Sequence, residues 1–193
     1  MTDKETLCEL FHHSKLSAEE LEIVVSAYKK AEYAKGDFIL KAGQIPHSYQ
    51  VVVSGMIRTY VINDSGDEIS TGFYSKDQMV LDMSSFFLRR PSDEAFQAIT
   101  DTVCWEIDFK SVQKLFHGLE AFREWGRSCL VQNAFQLKQR NISMVTDSAK
   151  DRYLALLKSH PTILQHAPIK HIASYLGITD TSLSRIRREV VGG

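Results

Sequence analysis

The spacing of apolar residues changes along this chain, and the changes mark out its elements. Between about Lys35 and Phe109 the apolar positions fall in short runs broken by glycine: 36–40, 49–55, 56–63, then Ile69 to Tyr74, Ala95 to Thr100 and Val103 to Asp108. Runs of that length, bounded by turn residues, predict short antiparallel strands and an all-β unit. Gly55 marks a tight link between two strands, and Asp64, Ser65 and Gly66 supply a hairpin turn. From Leu119 to about Val145 the period becomes helical. Leu130, Leu137 and Met144 recur every seven residues, with Ala134 and Asn141 at the companion positions, which is the pattern of a short coiled-coil seam between two copies. Phe122, Trp125 and Cys129 lie on another face, where they would pack back on the β unit. An amphipathic helix buried within a monomer is the competing reading.

The last segment carries the sharpest pattern. Residues 149–159 predict an amphipathic helix whose Tyr153, Leu154, Leu156 and Leu157 cover a pair of short helices near the C-terminus. The apolar set Ile169, Ile172, Ala173, Leu176, Ile178, Leu183 and Ile186 is helical at both ends and breaks phase at Gly177. Two short helices that cross steeply need this layout: Ala173 lets the axes approach, and Gly177 can end the first helix in the left-handed conformation. Thr179 is expected to cap the second helix, with Asp180 at the positive end of its dipole. With Leu183 and Ile186 inward, Asp180, Thr181, Ser182, Ser184, Arg185, Arg187 and Arg188 are left to solvent or a partner. A helix presented in this way is the reading element of a helix-turn-helix, and its early residues would enter the major groove of duplex DNA. Arg185 is the first candidate for a base contact, because its planar fork can donate twice to guanine O6 and N7. Lys170 and His171, near the start of the first helix, are placed for phosphate. An ordinary two-helix corner with a solvated basic end is the alternative, and the full set of matched positions weighs against it.

Charge sharpens this picture. The total of -1 hides an asymmetry: residues 1–148 hold 16 Lys and Arg against 21 Asp and Glu, whereas 149–193 hold 7 against 3. Phosphate neutralisation supplies much of the affinity for DNA, so a basic end on an acidic body is electrostatically sensible. With 44% hydrophobic and 24% charged residues the chain can bury one or two ordinary cores, which excludes a disordered or collagen-like protein. The start, MTDKETLCELFHHSKL, lacks an apolar stretch of signal-peptide length, and no run is long enough to span a bilayer, so a cytoplasmic protein with no membrane partner is expected. Cys8, Cys104 and Cys129 are too few and too scattered for a disulfide framework or a zinc site. His12 and His13 are adjacent on an expected helix, and His47, His117, His160, His166 and His171 show no ligand spacing. No metal and no cofactor is expected.

The order of these signals resembles a known family. GDFILKAG at 36–43, GMIRTYV at 55–61, SGDE at 65–68 and FFLRRPSDEAFQAIT at 86–100 resemble successive parts of the cyclic-nucleotide-binding β-roll of the CRP/FNR transcription regulators. A long helix and a C-terminal helix-turn-helix come after them in the same order, so the resemblance covers nearly the whole chain. It implies an α+β fold with an N-terminal double-stranded β-helix or jelly roll over residues 1–118, a dimerisation helix over 119–146 and a DNA-binding domain over 147–193. It implies a homodimer whose two reading helices enter successive major grooves ~34 Å apart on a pseudo-palindromic site. RNA polymerase is a further partner that a regulator of this kind would contact.

The chain also departs from the family pattern. Members that bind cyclic AMP cradle its phosphate with a Gly-Glu pair and then an Arg-Ser or Arg-Thr pair before an apolar strand. Here Val80-Leu81-Asp82-Met83 stands at the first place and Asp93-Glu94 at the second. A phosphate would face carboxylates in a partly desolvated pocket, so cyclic-nucleotide binding is not expected. Arg58, Arg89 and Arg90 are the candidate anion-holding residues if the roll does take a ligand, although Pro91 suggests a turn presenting Arg89 and Arg90 outward. The alternative function is therefore a regulator whose roll binds a cyclic nucleotide or another small anion. Met79, Met83, Phe86 and Phe87 are expected in the core. The iron–sulfur branch of the family needs four cysteines, which three scattered thiols cannot supply. Asp180-Thr181 replaces the Glu or Arg common early in the reading helix, so no operator sequence carries over. An enzyme on a cupin-like roll would need clustered ligands, and no His-x-His with a following Glu occurs in the strand region; no catalysis is expected.

Overall fold

A computed structural model describes residues 3–191. Helices α1 (Asp3–Leu10) and α2 (Ala18–Ser26) precede strands β1 (Lys29–Tyr33), β2 (Phe38–Leu40), β3 (Ser48–Ser54), β4 (Ile57–Ile62), β5 (Glu68–Tyr74) and β6 (Met79–Val80). A short helix α3 (Met83–Leu88) leads to β7 (Ala95–Ala98) and β8 (Thr102–Asp108). The chain then leaves the sheets through α4 (Phe109–Gly118) and the long helix α5 (Glu120–Thr146). It ends in a head of α6 (Ala149–Ser159), α7 (Ile163–His166), α8 (Ile169–Leu176) and α9 (Asp180–Val191). The strands form two four-stranded antiparallel sheets, ordered β1-β8-β3-β6 and β2-β7-β4-β5, which face each other as a roll. This is the α+β architecture that the resemblance implies.

Two strands escape the apolar pattern. β1 reads KKAEY, lies at a sheet edge against β8 alone, and leaves most of its side chains in solvent, so it has no apolar face to announce it. β6 is only two residues long and closes against β3. Between β3 and β4, Gly55 has φ +89°, and a Cβ there would collide with the Asp101 carbonyl and Thr102. The link expected at that position therefore has both a conformational and a steric cause.

Among the described residues three cores hold the molecule. One joins the first two helices, the outer face of β3 and β8, α4 and the beginning of α5. There Phe122 is fully buried, and Phe11 packs at a tilt against Trp125 with ring centroids 4.6 Å apart. Phe122 and Trp125 thus bind the long helix to its own roll, with Cys129 half-buried beside them. Phe86 is buried in this core, and Met79 and Phe87 pack against it. A second core fills the roll with Leu40, Val52, Ile57, Val80, Phe96 and Cys104. The third crosses between regions, with Met56, Phe73 and Ile99 of the roll packed with Tyr153, Leu156, Ile172, Leu183 and Ile186 of the head. Leu154, expected to cover the helix pair, instead stays 41% exposed, because α6 turns Tyr153 and Leu156 inward and leaves the intervening face to solvent.

Candidate nucleic-acid interface

The turn between α8 and α9 is built by backbone hydrogen bonds. Gly177 adopts φ +67°, its N–H reaches the Ser174 carbonyl at 3.2 Å, and the Ile178 N–H reaches the Ala173 carbonyl at 3.0 Å. This pair of bonds is a Schellman closure, and it needs the left-handed residue that glycine supplies. A Cβ on Gly177 would also press against the Met144 methyl at 2.9 Å. The Thr179 hydroxyl then accepts from the Ser182 N–H at 3.2 Å, which caps α9, and Asp180 sits in the first turn.

With Leu183 and Ile186 buried, α9 presents Thr181, Ser184, Arg185 and Arg188 along one exposed face, as spacings of three, four and seven residues dictate. Asp180 is exposed too, while Ser182 and Arg187 are half-buried at the flanks. The side chain of Arg185 is 73% exposed and has only a loose contact with Glu189, at 3.9 Å. The Thr179 hydroxyl bonds those of Thr181 at 2.9 Å and Ser182 at 3.0 Å, so the hydroxyls at the helix start form a local chain. Lys170 is exposed at the start of α8. The neighbouring His171 turns inward instead, toward the roll.

That inward turn belongs to a polar seam between roll and head. Arg58, a candidate for an anion in the roll, is fully buried. Its Nε donates to the Ser70 hydroxyl at 2.9 Å, its Nη1 donates to Glu68 at 2.6 Å and lies 3.2 Å from His171 Nε2, and its guanidinium stacks over Tyr60. Arg58 therefore faces the head rather than a ligand space. Burial, reinforced by the Arg58 charge and opposed by Glu68, holds His171 below its ordinary pKa. The same seam closes the outer edge of β5. Ser70 N–H donates to Ser174 Oγ at 3.1 Å, Arg140 donates to the Thr71 carbonyl, and His160 Nε2 meets the Phe73 carbonyl at 2.9 Å. Burial also lowers the pKa of His160, although that contact with Phe73 opposes the shift.

The loop between β6 and β7 is occupied by its own acid. Asp82 accepts from the Ser85 N–H at 3.1 Å and the Ser84 hydroxyl at 3.0 Å, and its other oxygen accepts from Ser92 at 2.7 Å. Burial raises the pKa of this carboxyl, but the serine hydrogen bonds outweigh it and leave the value below the ordinary one. Glu94 is pushed the other way, chiefly by burial, with the nearby Asp82 and Asp93 adding to the rise. A cavity of about 410 Å³ beside the loop is lined by Phe38, Lys41, Tyr60 and Asp93 among others, so its lysine is balanced by an acid. Arg89 and Arg90 do not converge on it. Arg89 donates to the Pro46 carbonyl at 2.5 Å and stacks over Phe109, while Arg90 reaches Ser84 at 3.0 Å from the surface. Arg58, Arg89 and Arg90 thus serve three separate contacts.

Along α5 the covered and free faces are plain. Phe122, Gly126 and Arg140 turn toward roll or head, and Met144, a predicted seam residue, touches Gly177 with its methyl but stays 40% exposed. Leu130, Ala134, Leu137 and Asn141 are exposed. A second apolar set, one residue further on, is exposed as well: Val131, Phe135, Ile142 and Val145, of which Phe135 is 67% and Val145 86% exposed. The seven-residue spacing of Phe135 and Ile142 is the sequence signal for this set, but only the packing shows which face the molecule covers.

Among the described residues no group of three or more His, Cys, Asp or Glu could hold a metal ion, the three cysteines are unpaired, and no helix is long and apolar enough to cross a membrane.

Comparison with known proteins places this geometry. Residues 30–118 match the cyclic nucleotide-binding domain family. The chain is 25% identical to electron transport regulator A of Shewanella oneidensis over 94% of its own length and 75% of that protein. Its fold matches that of a crp/fnr family protein from Eubacterium rectale with a TM-score of 0.69 at 18% identity, covering 92% of this chain and 85% of that one. FixK2 from Bradyrhizobium japonicum matches with a TM-score of 0.68 at 18% identity over 86% of each chain.

Proposed function

From a chain whose cyclic nucleotide-binding domain, long helix and head together have the fold of a CRP/FNR-type regulator, we propose a dimeric, sequence-specific DNA-binding transcription regulator that does not respond to cyclic AMP. The observation that carries this reading is the exposed face of α9. Arg185 and Arg188 stand in solvent beside Thr181 and Ser184, on a helix fixed by the Gly177 turn and the Thr179 cap. An arginine so placed can donate twice to a guanine edge, while Lys170 and Arg187 supply charge for phosphates. The protein acts by binding rather than by catalysis.

The free apolar stripe of α5 supports the dimer. Val131, Phe135, Ile142 and Val145 form a band that water solvates poorly, and a second copy along it would pair two heads on one side of a duplex. The carboxylates of Asp82, Asp93 and Glu94 near the loop after β6 argue against a phosphate ligand there.

Selecting bound sequences from a random duplex pool tests the proposal, with mass measured in solution alongside. The expected result is a pseudo-palindrome with half-sites about one helical turn apart, bound by a dimer that cyclic AMP leaves unchanged. An enriched pool without two-fold symmetry, or no enrichment at all, would remove the reading.

A further inference from the structure

Where α5, α6 and α8 meet lies a cavity of about 300 Å³ whose lining includes Arg140, Met144, Arg152, Ala155, Leu156 and Tyr175. That volume is at the small end of what metabolite-sized sites occupy. Its walls are apolar apart from Ser143, Ser159, Tyr175 and the two arginines, and its lining contains no carboxylate.

Both arginines are half-buried, and among the described residues neither makes an ion pair. Arg140 uses one donor on the Thr71 carbonyl and lies 4.1 Å over the Tyr175 ring. Arg152 donates to the carbonyls of Asp147 at 2.6 Å and Leu176 at 3.0 Å, and its Nε is buried with no partner. The acids nearest Arg152 in sequence are engaged by hydroxyls: Asp151 accepts from Ser148, and Asp147 from Ser143 and Thr146. A guanidinium has five N–H donors, so each keeps capacity unspent. Carbonyl dipoles orient these cations without neutralising them. Two positive charges, partly withdrawn from water and attracted only beyond ion-pair distance by Glu94 and Asp147, favour an anion between them more than a surface pair would.

We infer that this cavity is a binding site for a small organic anion, a carboxylate or phosphate carried on a compact apolar body. The anionic group would sit between Arg140 and Arg152, and the body against Met144, Ala155 and Leu156. Arg140, Ser143 and Met144 lie on the side of α5 turned to the head, opposite the free stripe of Phe135 and Ile142, so a second copy on that stripe leaves the cavity open. The walls come from the long helix and from two helices of the head. In the regulator proposed above, an occupant would therefore tie the orientation of the reading helix to α5.

The site is tested on the full chain without DNA, so its failure and the failure of the regulator reading are distinguishable. Calorimetry and ligand-observed NMR with benzoate, phenyl phosphate and uncharged benzamide would be run on the parent protein and on Arg152→Gln, Arg140→Lys and Ala155→Phe. The expected outcome is saturable binding of at least one of the two anions, and which one binds identifies the head group. Benzamide should not bind. Arg152→Gln should weaken the anion about tenfold, Arg140→Lys less because the charge stays, and Ala155→Phe should abolish binding by filling the space while both arginines remain. Circular dichroism of each variant establishes that it is folded. Failure of both anions to bind, equal binding of benzamide, or undiminished binding by folded Ala155→Phe overturns the inference.

Discussion

On α9, Arg185 keeps 73% of its side chain in water and meets Glu189 only at 3.9 Å, whereas on β4 Arg58 is enclosed completely and divides its donors among Ser70, Glu68 and His171. The two are the same chemical group in opposite circumstances. Arg58 has found partners for its Nε and Nη1 inside the fold, 10 to 113 residues away along the chain, while its Nη2 is buried without one, and its role is to hold the head against the roll. Arg185 has found almost none, and the α9 face around it is polar without being self-satisfied. A charged side chain that a fold leaves unspent on a rigid helix is available to a partner, and one that it encloses is part of the scaffold.

The largest effect that would break this contrast is on Arg58. Arg58→Ala removes a buried cation from its hydrogen bonds and its ring stack, and should destabilise the protein by about 3 kcal/mol. That is the low end for a broken buried pair, because Glu68 keeps contact with water. Denaturant unfolding measures it, and a loss below about 0.5 kcal/mol would show Arg58 to be a spectator. Arg185→Ala should do the reverse. Unfolding stability stays the same, and affinity for the selected DNA site drops by about 2 kcal/mol at fixed salt. A folded variant binding DNA like the parent would take the base contact away from Arg185.

The smallest effect sharpens the seam itself. His160 and His171 both have pKa values below the ordinary one, first because burial disfavours the charged form. Well above about pH 6.5, the ordinary histidine value, both are neutral, folded or unfolded, and the seam keeps its full stability. As the pH falls below that, the unfolded chain takes up protons that the folded one resists, so stability declines toward the folded pKa values. Thermal melts between about pH 7.5 and about pH 5.5 should show the decline, and His160→Gln should flatten it. An identical slope in that variant would show that His160 contributes nothing to it.

How much of the fold the sequence discloses depends on how local each feature is. The head is legible because its determinants are neighbours: Gly177 ends one helix, Thr179 starts the next, and Leu183 and Ile186 set the buried side of α9. Most of the roll is legible through its short apolar runs and its turns. β1 is not, because an edge strand with polar side chains has no periodic signature. The seam between roll and head is invisible in the sequence, since Ser70 and Ser174 or Phe73 and His160 become neighbours only after both parts have folded. The same limit explains why His171 reads as a phosphate contact and lies inward. Along α5 the seven-residue repeat announces an apolar face, but roll and head cover neither of its two adjacent stripes, and Met144, although it touches Gly177, stays 40% exposed. At Asp82 the residue type alone points to repulsion of a phosphate, while its capture by Ser84, Ser85 and Ser92 emerges from the folded loop.

β5 is the last strand of its sheet, and its open border is stitched by Ser174, Arg140 and His160 rather than by another strand. Lifting the head away would bare a row of amide and carbonyl groups, a raw hem to which a stray extended peptide could attach. Detachment of the head therefore carries a hazard of misassociation, which favours adjusting its tilt while this hem remains sewn.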